Sequence, residues 1–373
     1  MYLPELSTRN IQEAVSQLDL QPGESLFVLV GEAERERLPQ LIDDLASTGA
    51  SFQGGVFPGI IHRDRSYREG LLLKKLTVRG APLFLPDMSD EAHVQTAVTA
   101  LKDAQEEVGC FILVDGLSTH IEPMLGQLHS HLGGHVQFVG GGCGTLDLVQ
   151  KPCIFTPDGI FQDAALLLPF TRKLSVGIRH GWQRVTGPLA ATRSTGNRII
   201  ELNWLPAMEV YRAAIKADSG QVIDQAGFFD IAKSYPFGIF KEGSEDIVRD
   251  PISVGDSGDL VCVGQVPENT LLHILKGEPE QLIASARIAT LDCLDMQTSW
   301  PIQDLVVFDC ISRRLFLGAD FDKELEAVRT VLQEQQIQVE PYGALSLGEI
   351  SNRKETIIEF YNKTIVIGGI YSD

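Results

Sequence analysis

Polar side chains close or follow two apolar runs, at the places where buried strands are expected to end. Asp115 lies at the end of CFILVDG (110–116) and Ser118 follows that run, while Cys310 closes LVVFDC (305–310) and Arg313 follows it. In α/β folds, ligand contacts collect at the carboxyl ends of strands. An arginine there holds a carboxylate through two parallel hydrogen bonds, which suits an amino acid or organic acid. The alternatives are an internal ion pair for Arg313 and turn or helix caps for Asp115 and Ser118.

Two further polar residues lie inside apolar runs near the end of the chain. Glu349 follows Gly348 in YGALSLGEI, and Asn362 stands in YNKTIVI. A polar group in such a run is either satisfied by an internal hydrogen bond or part of a pocket. Both readings stay open, and Glu349 and Asn362 join the candidate ligand contacts.

A glycine cluster, FVGGGCGTLD at 138–147, raises three chemical possibilities. It is not a phosphate loop, because no helix opens directly after it and no P-loop lysine follows. Gly140, Gly141 and Gly142 instead predict positive φ angles and a close approach of two backbones. Backbone exposed at this gap is a candidate ligand contact, together with Cys143.

Nucleophilic and metal chemistry are the weaker interpretations of the same region. Amide groups of the neighbouring glycines favour a thiolate at Cys143, but nucleophilic catalysis also needs a base. His131 and His135 have the spacing of helical metal ligands, yet Gly133 and Gly134 interrupt the helix between them. We therefore assign no catalytic residue and no metal ligand, and we expect the cysteines to be free buried thiols.

The elements that position these residues form a weak internal repeat. Three segments share the order apolar strand, helix, strand, beginning at LFVLV (26–30), CFILVDG (110–116) and LVVFDC (305–310). Each first strand is continuously apolar, which suits burial on both faces, and each helix has apolar residues three and four apart. Glycines stand near the end of every second strand, and a hairpin-like continuation follows.

The fold expected from this repeat is α/β, with α+β as the alternative. Two domains with mixed sheets, built from strand-helix-strand-hairpin units, account for 373 residues better than one core does. We place the boundary at residue 205, before a helix with an early proline at 206–215, giving domains 1–205 and 206–373.

Charge and composition exclude several classes of partner. Fifty acidic against 31 basic residues give a net charge of -19, which repels nucleic acid and anionic lipid. No run of 18 or more apolar residues is present, so we expect no membrane span. The first residues lack the pattern of a secretory signal, and we expect a cytoplasmic protein.

Several motifs together resemble the FIST family. VDGLS, FVGGGCG, FTPDGIFQDAALLL, RHGW and TGNRIIELNWLPAMEVY are similar to the FIST N-terminal domain, which this resemblance places at 1–205. FDCISRRLFLG, YGALSLGEI and YNKTIVI are similar to the FIST C-terminal domain at 206–373. The resemblance covers nearly the whole chain and rests on the order and spacing of the motifs.

The resemblance implies an intracellular sensory protein that binds a small ligand, such as an amino acid, and signals through a partner. The chain carries no kinase or cyclase segment of its own, so we expect a signalling kinase or cyclase as that partner. The expected pocket lies at or between the two domains. The alternatives are a hydrolase or transferase using Cys143 or Cys310, and a haem-based gas sensor with His180 of RHGW as ligand. The cofactor is left unassigned.

Overall fold

Three units of the same plan make up most of the protein. The computed structural model describes residues 1–102, 108–170, 172–294, 300–353 and 356–372, and the units are counted within these ranges. Each unit consists of an edge strand, a helix, a first central strand, a second helix, a second central strand, a hairpin and a return strand.

The elements of the three units occur in chain order. The first unit comprises β1 (Tyr2–Leu3), α1 (Thr8–Gln17), β2 (Glu24–Gly31), a 3-10 turn (Glu32–Arg37), α2 (Leu38–Ala46), β3 (Phe52–Phe57), β4 (Gly59–His62), β5 (Arg65–Tyr67) and β6 (Leu71–Thr77). The second comprises β7 (Leu83–Leu85), α3 (Glu91–Lys102), β8 (Val108–Asp115), α4 (Ile121–Leu132), β9 (Val136–Cys143), β10 (Ile154–Thr156), β11 (Gly159–Phe161) and β12 (Ala165–Phe170). The third comprises β13 (Leu174–Arg179), α7 (Pro279–Leu294), β22 (Ile302–Cys310), α8 (Ile311–Leu317), a 3-10 turn (Gly318–Asp320), α9 (Phe321–Glu334), β23 (Tyr342–Ser346), β24 (Glu349–Ser351), β25 (Glu359–Tyr361) and β26 (Ile365–Tyr371).

Between β13 and α7 the third unit carries an insertion with its own sheet. The insertion comprises β14 (Gln183–Thr195), β15 (Arg198–Leu202), β16 (Leu205–Pro206), α5 (Ala207–Ser219), α6 (Phe228–Ala232), β17 (Phe237–Ile239), β18 (Ile247–Arg249), β19 (Pro251–Val254), β20 (Leu260–Cys262) and β21 (Leu271–Lys276). Its strands lie in the order β18-β17-β21-β14-β15-β20-β19, with β16 paired to β15. Strands from both sides of residue 205 therefore share this sheet.

The repeated strand-helix-strand plan expected from the sequence is confirmed. In every unit the two central strands run parallel, as β2 with β3, β8 with β9 and β22 with β23, and the return strand lies antiparallel beside the first of them. In the first unit the segment after β2 begins as a 3-10 turn over Glu32–Arg37. The α-helix starts only at Leu38, where Pro39 occupies the first turn and lacks the N–H that an interior position would require.

The hairpins are exchanged between units, a feature that the sequence analysis did not predict. Hairpin β4–β5 of the first unit pairs with β23 of the third. Hairpin β10–β11 of the second pairs with β3 of the first, and β24–β25 of the third pairs with β9 of the second. The exchange therefore closes in a cycle, and each second central strand is covered by a hairpin from another unit.

One glycine occupies the same register position in each parallel pair. Gly54, Gly140 and Gly343 face Val28, Ile112 and Val307. A Cβ atom at these glycines would lie 1.8, 1.7 and 1.7 Å from the carbonyl oxygen of the facing residue. The close approach expected of the glycine cluster is confirmed. The positive φ angles are not, since within GGGCG only Gly144 has one, at 144°.

The three sheets enclose a common core and carry their helices on the outside. Alternate residues of the first strands point inward, and the rings of Phe27 and Phe111 stack with centroids 4.8 Å apart. The opposite faces pack against the helices, as Ile112 does beneath α3 and α4. This arrangement confirms the mixed α/β class. Across the described ranges, no helix combines the length and apolar character needed to cross a bilayer.

Candidate functional site

A cavity of about 150 Å³ opens where the second unit, the third unit and the insertion meet. Its lining is mostly apolar, with a small polar group on one side. The described lining residues are Gly116, Leu117, Leu146, Leu148, Phe229, Asp250, Ile252, Val263, Cys310, Ile311, Ser312, Leu315, Leu347, Gly348 and Asn362. Leu148 and Leu315 are 47% and 41% exposed, so they mark the mouth.

Strand ends explain why these residues converge. The turn after β8 supplies Gly116 and Leu117, and the chain leaving β22 turns at Cys310 into α8. Gly348 forms the bend between β23 and β24 with a φ of 97°, and a Cβ there would lie 2.4 Å from the Phe360 ring. Only glycine fits this bend, because L side chains rarely adopt that φ and the ring leaves no space.

The polar side of the cavity is built around Asp250, which is 1% exposed. Its Oδ2 accepts a hydrogen bond of 2.8 Å from the Ser312 hydroxyl and lies 3.2 Å from Nζ of Lys363. Lys363 is itself fully buried and also donates to the carbonyl of Lys233 at 2.9 Å. Burial raises the pKa of Asp250, and the opposing charge of Lys363 acts in the other direction. The other carboxylate oxygen, Oδ1, has no hydrogen-bond partner in the described structure.

Asn362 supplies a second acceptor without a partner. Its Nδ2 donates to the carbonyl of Tyr361 at 2.9 Å, which fixes the orientation of the amide. Its Oδ1 is buried and accepts no hydrogen bond from any described residue. Because a buried acceptor without a partner is unfavourable by about 1–3 kcal/mol, two of them beside one cavity indicate a place for donors.

Cys310 and Glu349 form a buried pair next to the cavity. The Glu349 carboxyl lies beside the Cys310 thiol and accepts a hydrogen bond from the Ser346 hydroxyl at 2.7 Å and one from the Thr364 amide at 3.3 Å. Burial raises the pKa of Glu349 to about 8, against the effect of these hydrogen bonds. Burial together with the charge of Glu349 raises the pKa of the Cys310 thiol. A protonated thiol is a poor nucleophile, so the pair does not favour covalent catalysis.

Asp115 and Ser118, two of the sequence candidates, make local structural contacts. Oδ1 of Asp115 accepts from the Leu117 amide at 3.2 Å, and Oδ2 accepts from Gln150 and from the Asp163 amide, both at 2.9 Å. Ser118 accepts from the His120 amide at 3.2 Å. Both residues are buried beside the turn that supplies Gly116, and neither lines the cavity.

The glycine cluster lies beneath the cavity. Gly140 and Gly141 pair with Ile350 and Glu349 of the exchanged hairpin. The Gly142 amide donates to the Gly348 carbonyl, and the Gly142 carbonyl accepts from the Leu347 amide; Leu347 and Gly348 both line the cavity. Cys143 is fully buried, and burial, followed by nearby Cys153 and Asp115, raises the pKa of its thiol.

Arg313 is fully buried on the other side of α8, away from the cavity. Its guanidinium lies 3.3 Å from Asp309 and donates to Glu324, to the Ser285 hydroxyl and to backbone carbonyls. The sequence left open whether Arg313 binds a ligand carboxylate or forms an internal ion pair, and this geometry is that of the internal ion pair. The contacts tie α8 to α7 and α9. Of the sequence candidates, the cavity therefore brings together Cys310 and Asn362, with Glu349 and Gly142 directly behind them.

His180 lies in a separate open groove lined also by Lys241, Glu245 and Arg353. Its Nδ1 accepts a hydrogen bond of 2.9 Å from the Trp182 amide, which places the ring proton on Nε2. Histidines that ligate metals usually have the opposite arrangement, in which the second nitrogen donates to a nearby acceptor. Protonated Nε2 has no lone pair to offer iron, so His180 in this arrangement does not fit haem ligation.

The residues missed by the sequence analysis are Asp250, Ser312 and Lys363. Asp250 interrupts the strand-like run IVRDPISV, and Lys363 stands beside Asn362 in YNKT. The available signal was a charged residue inside an apolar run, the same signal that selected Glu349. Their contact joins positions more than 100 residues apart and cannot be read from local spacing.

The fold is mixed α/β, and residues of the second unit, the third unit and the insertion surround one small hollow. In a comparison with protein families, the FIST N domain matches residues 25–205 and the FIST C domain matches residues 207–352. The chain therefore belongs to the FIST family, as the motif resemblance indicated. A comparison with curated proteins found no match.

Proposed function

We propose that this protein is a cytoplasmic sensory protein that binds a small ligand in the cavity beside Asp250 and signals through a kinase or cyclase partner. FIST domains are generally associated with sensory and signal-transduction roles and with small-ligand binding. The observation that carries the proposal is the position of the cavity. Gly116 and Leu146 belong to the part matched by the FIST N domain, whereas Asp250 and Ser312 belong to the part matched by the FIST C domain.

This position offers a physical route from ligand to partner. A ligand in the cavity contacts residues of both the FIST N and the FIST C match. It stabilises the arrangement of these residues relative to each other, because it binds only when the cavity lining is fully formed. The amino acids and organic acids expected from the sequence are the first compounds to examine, provided that they are small. The absence of an exposed or ionised thiol among the described lining residues favours binding without covalent chemistry.

A thermal-shift screen with a blocked cavity tests the proposal. Leu315→Trp places a large ring at the mouth, and Leu271→Trp places the same ring on the insertion at a residue of similar exposure, 43% against 41%. Millimolar amino acids, organic acids and short alkylamines are the probes. A ligand at about 100 times its Kd stabilises the native state by about 2.7 kcal/mol.

We expect at least one probe to raise the melting temperature of the unmodified protein and of Leu271→Trp, with Leu315→Trp unaffected. A probe that stabilises all three proteins equally binds elsewhere and contradicts the assigned cavity. No stabilisation by any small molecule in the screen contradicts ligand binding itself.

A further inference from the structure

We infer that the cavity selects a small ligand with an apolar body and a hydrogen-bond-donating head, above all a primary ammonium group, and rejects carboxylates. This inference rests on the proposed function and narrows it. It goes against the organic acids, and it also disfavours a free amino acid, which carries its ammonium group together with a carboxylate.

Among the described residues that line the cavity, the buried side-chain polar atoms without a hydrogen-bond partner are acceptors. Oδ1 of Asp250 and Oδ1 of Asn362 are buried and lack donors in the described structure, while the donors beside them are already used. The Ser312 hydroxyl donates to Asp250, and the Asn362 amide donates to the Tyr361 carbonyl. A ligand that supplies N–H groups satisfies both oxygens, whereas a ligand that offers only acceptors leaves them without partners.

The charge of the cavity points the same way. Among the lining residues that the structure describes, Asp250 is the one charged side chain. The nearest cation, Lys363, is held by Asp250 Oδ2 and the Lys233 carbonyl, and Arg249 on the neighbouring strand pairs with Glu122 at 2.8 Å. A carboxylate in the cavity would be a buried anion beside Asp250 without a free cation, which is strongly unfavourable. An ammonium group would instead pair with that carboxylate.

The apolar remainder of the wall sets the size and the body of the ligand. Ile252, Val263, Ile311 and Leu347 present branched alkyl groups, and the enclosed volume is about 150 Å³. A cavity of this size holds benzene, a body of six carbons. The fitting class is therefore a short branched or cyclic alkylamine, with its amine directed to Asp250 and Asn362.

Four probes that share one branched alkyl body separate the alternatives: 3-methylbutylamine, 3-methylbutanol, 3-methylbutanoate and leucine. Their affinities are measured by calorimetric titration of the full chain. We expect the amine to bind most tightly, the alcohol at least about tenfold more weakly, and the two carboxylates not detectably.

Two variants test the residues. Asn362→Leu removes one acceptor while leaving the Asp250–Lys363 ion pair intact, and we expect it to weaken amine binding at least about fivefold without affecting the alcohol to the same extent. Asp250→Asn combined with Lys363→Met removes the charge without leaving a buried ion behind, and should abolish the preference for the amine over the alcohol. If the double variant does not fold, the order of the four probes on the unmodified protein still decides.

Binding of 3-methylbutanoate or leucine in preference to the amine would overturn this inference and leave the proposed function standing. The same holds if none of the four binds while another compound of the amino-acid and organic-acid screen does. If neither set stabilises or binds the protein, both proposals are wrong.

Discussion

The buried carboxyl of Glu349 predicts a specific dependence of stability on pH. Its pKa is raised by burial from 4.5 to about 8. The native state therefore keeps this proton up to about pH 8, while the unfolded chain loses it near its ordinary pKa. Because the native state binds more protons between these values, the free energy of unfolding falls as the pH rises through this interval and levels off above it.

The size of the effect follows from the shift. One pKa unit corresponds to about 1.4 kcal/mol, so the full shift corresponds to at most about 5 kcal/mol. Glu349→Gln keeps the volume and one acceptor oxygen for the Thr364 amide, but it does not ionise. Urea unfolding of both proteins at intervals between about pH 5 and about pH 9 measures the difference. We expect the unmodified protein to lose about 2–5 kcal/mol more than the variant over this range.

A matched control comes from an exposed carboxylate of the same type. The side chain of Glu36 is 91% exposed, so Glu36→Gln should give a pH profile parallel to that of the unmodified protein. Parallel profiles for Glu349→Gln and the unmodified protein would show that Glu349 ionises normally, and the account of this site would be refuted.

Two further predictions follow from the glycine cluster and the cysteines. Gly140→Ala should destabilise the protein by at least about 3 kcal/mol in urea unfolding, since its Cβ would lie 1.7 Å from the Ile112 carbonyl, whereas Gly126→Ala in α4, with nothing within 4 Å, should stabilise it by about 0.5–1 kcal/mol. Similar small effects of both substitutions would contradict the close approach of the strands. Cys143 and Cys310 should react with iodoacetamide far more slowly in the native state than in urea at neutral pH, because burial raises both thiol pKa values. Rapid labelling of either cysteine by mass spectrometry would revive the nucleophilic alternative.

The sequence predicted the repeated unit because its signals are local. Continuous apolar strands, helical spacing and glycines near the second strands recur over short stretches of the chain, and these patterns reflect burial on both faces and close pairing of adjacent strands. The exchange of hairpins was not predictable in the same way. Glu349 pairs with Gly141, more than 200 residues away, and no local preference encodes that partner.

The candidate site was predictable in part for a related reason. Strand ends drew attention to Cys310, and a polar position inside an apolar run drew attention to Asn362; both residues line the cavity. Strand ends drew attention equally to Asp115 and Arg313, which make internal contacts. A polar residue after a strand has the same sequence signature whether its partner is a ligand or another side chain. Asp250 belongs to the insertion, whose position over the strand ends is a tertiary feature.

The cyclic exchange of hairpins also limits how this architecture can change during evolution. An open solenoid gains or loses a repeat at its terminus, since each repeat touches only its neighbours. Here the loss of one unit would leave the second central strand of one remaining unit without its hairpin. The hairpin of the other remaining unit would have no strand to pair with. Duplication would create the opposite mismatch. Because the pairing closes in a cycle, the number of units is fixed. Evolutionary variation in the sequence is therefore directed to loops and to insertions such as the one that covers the cavity.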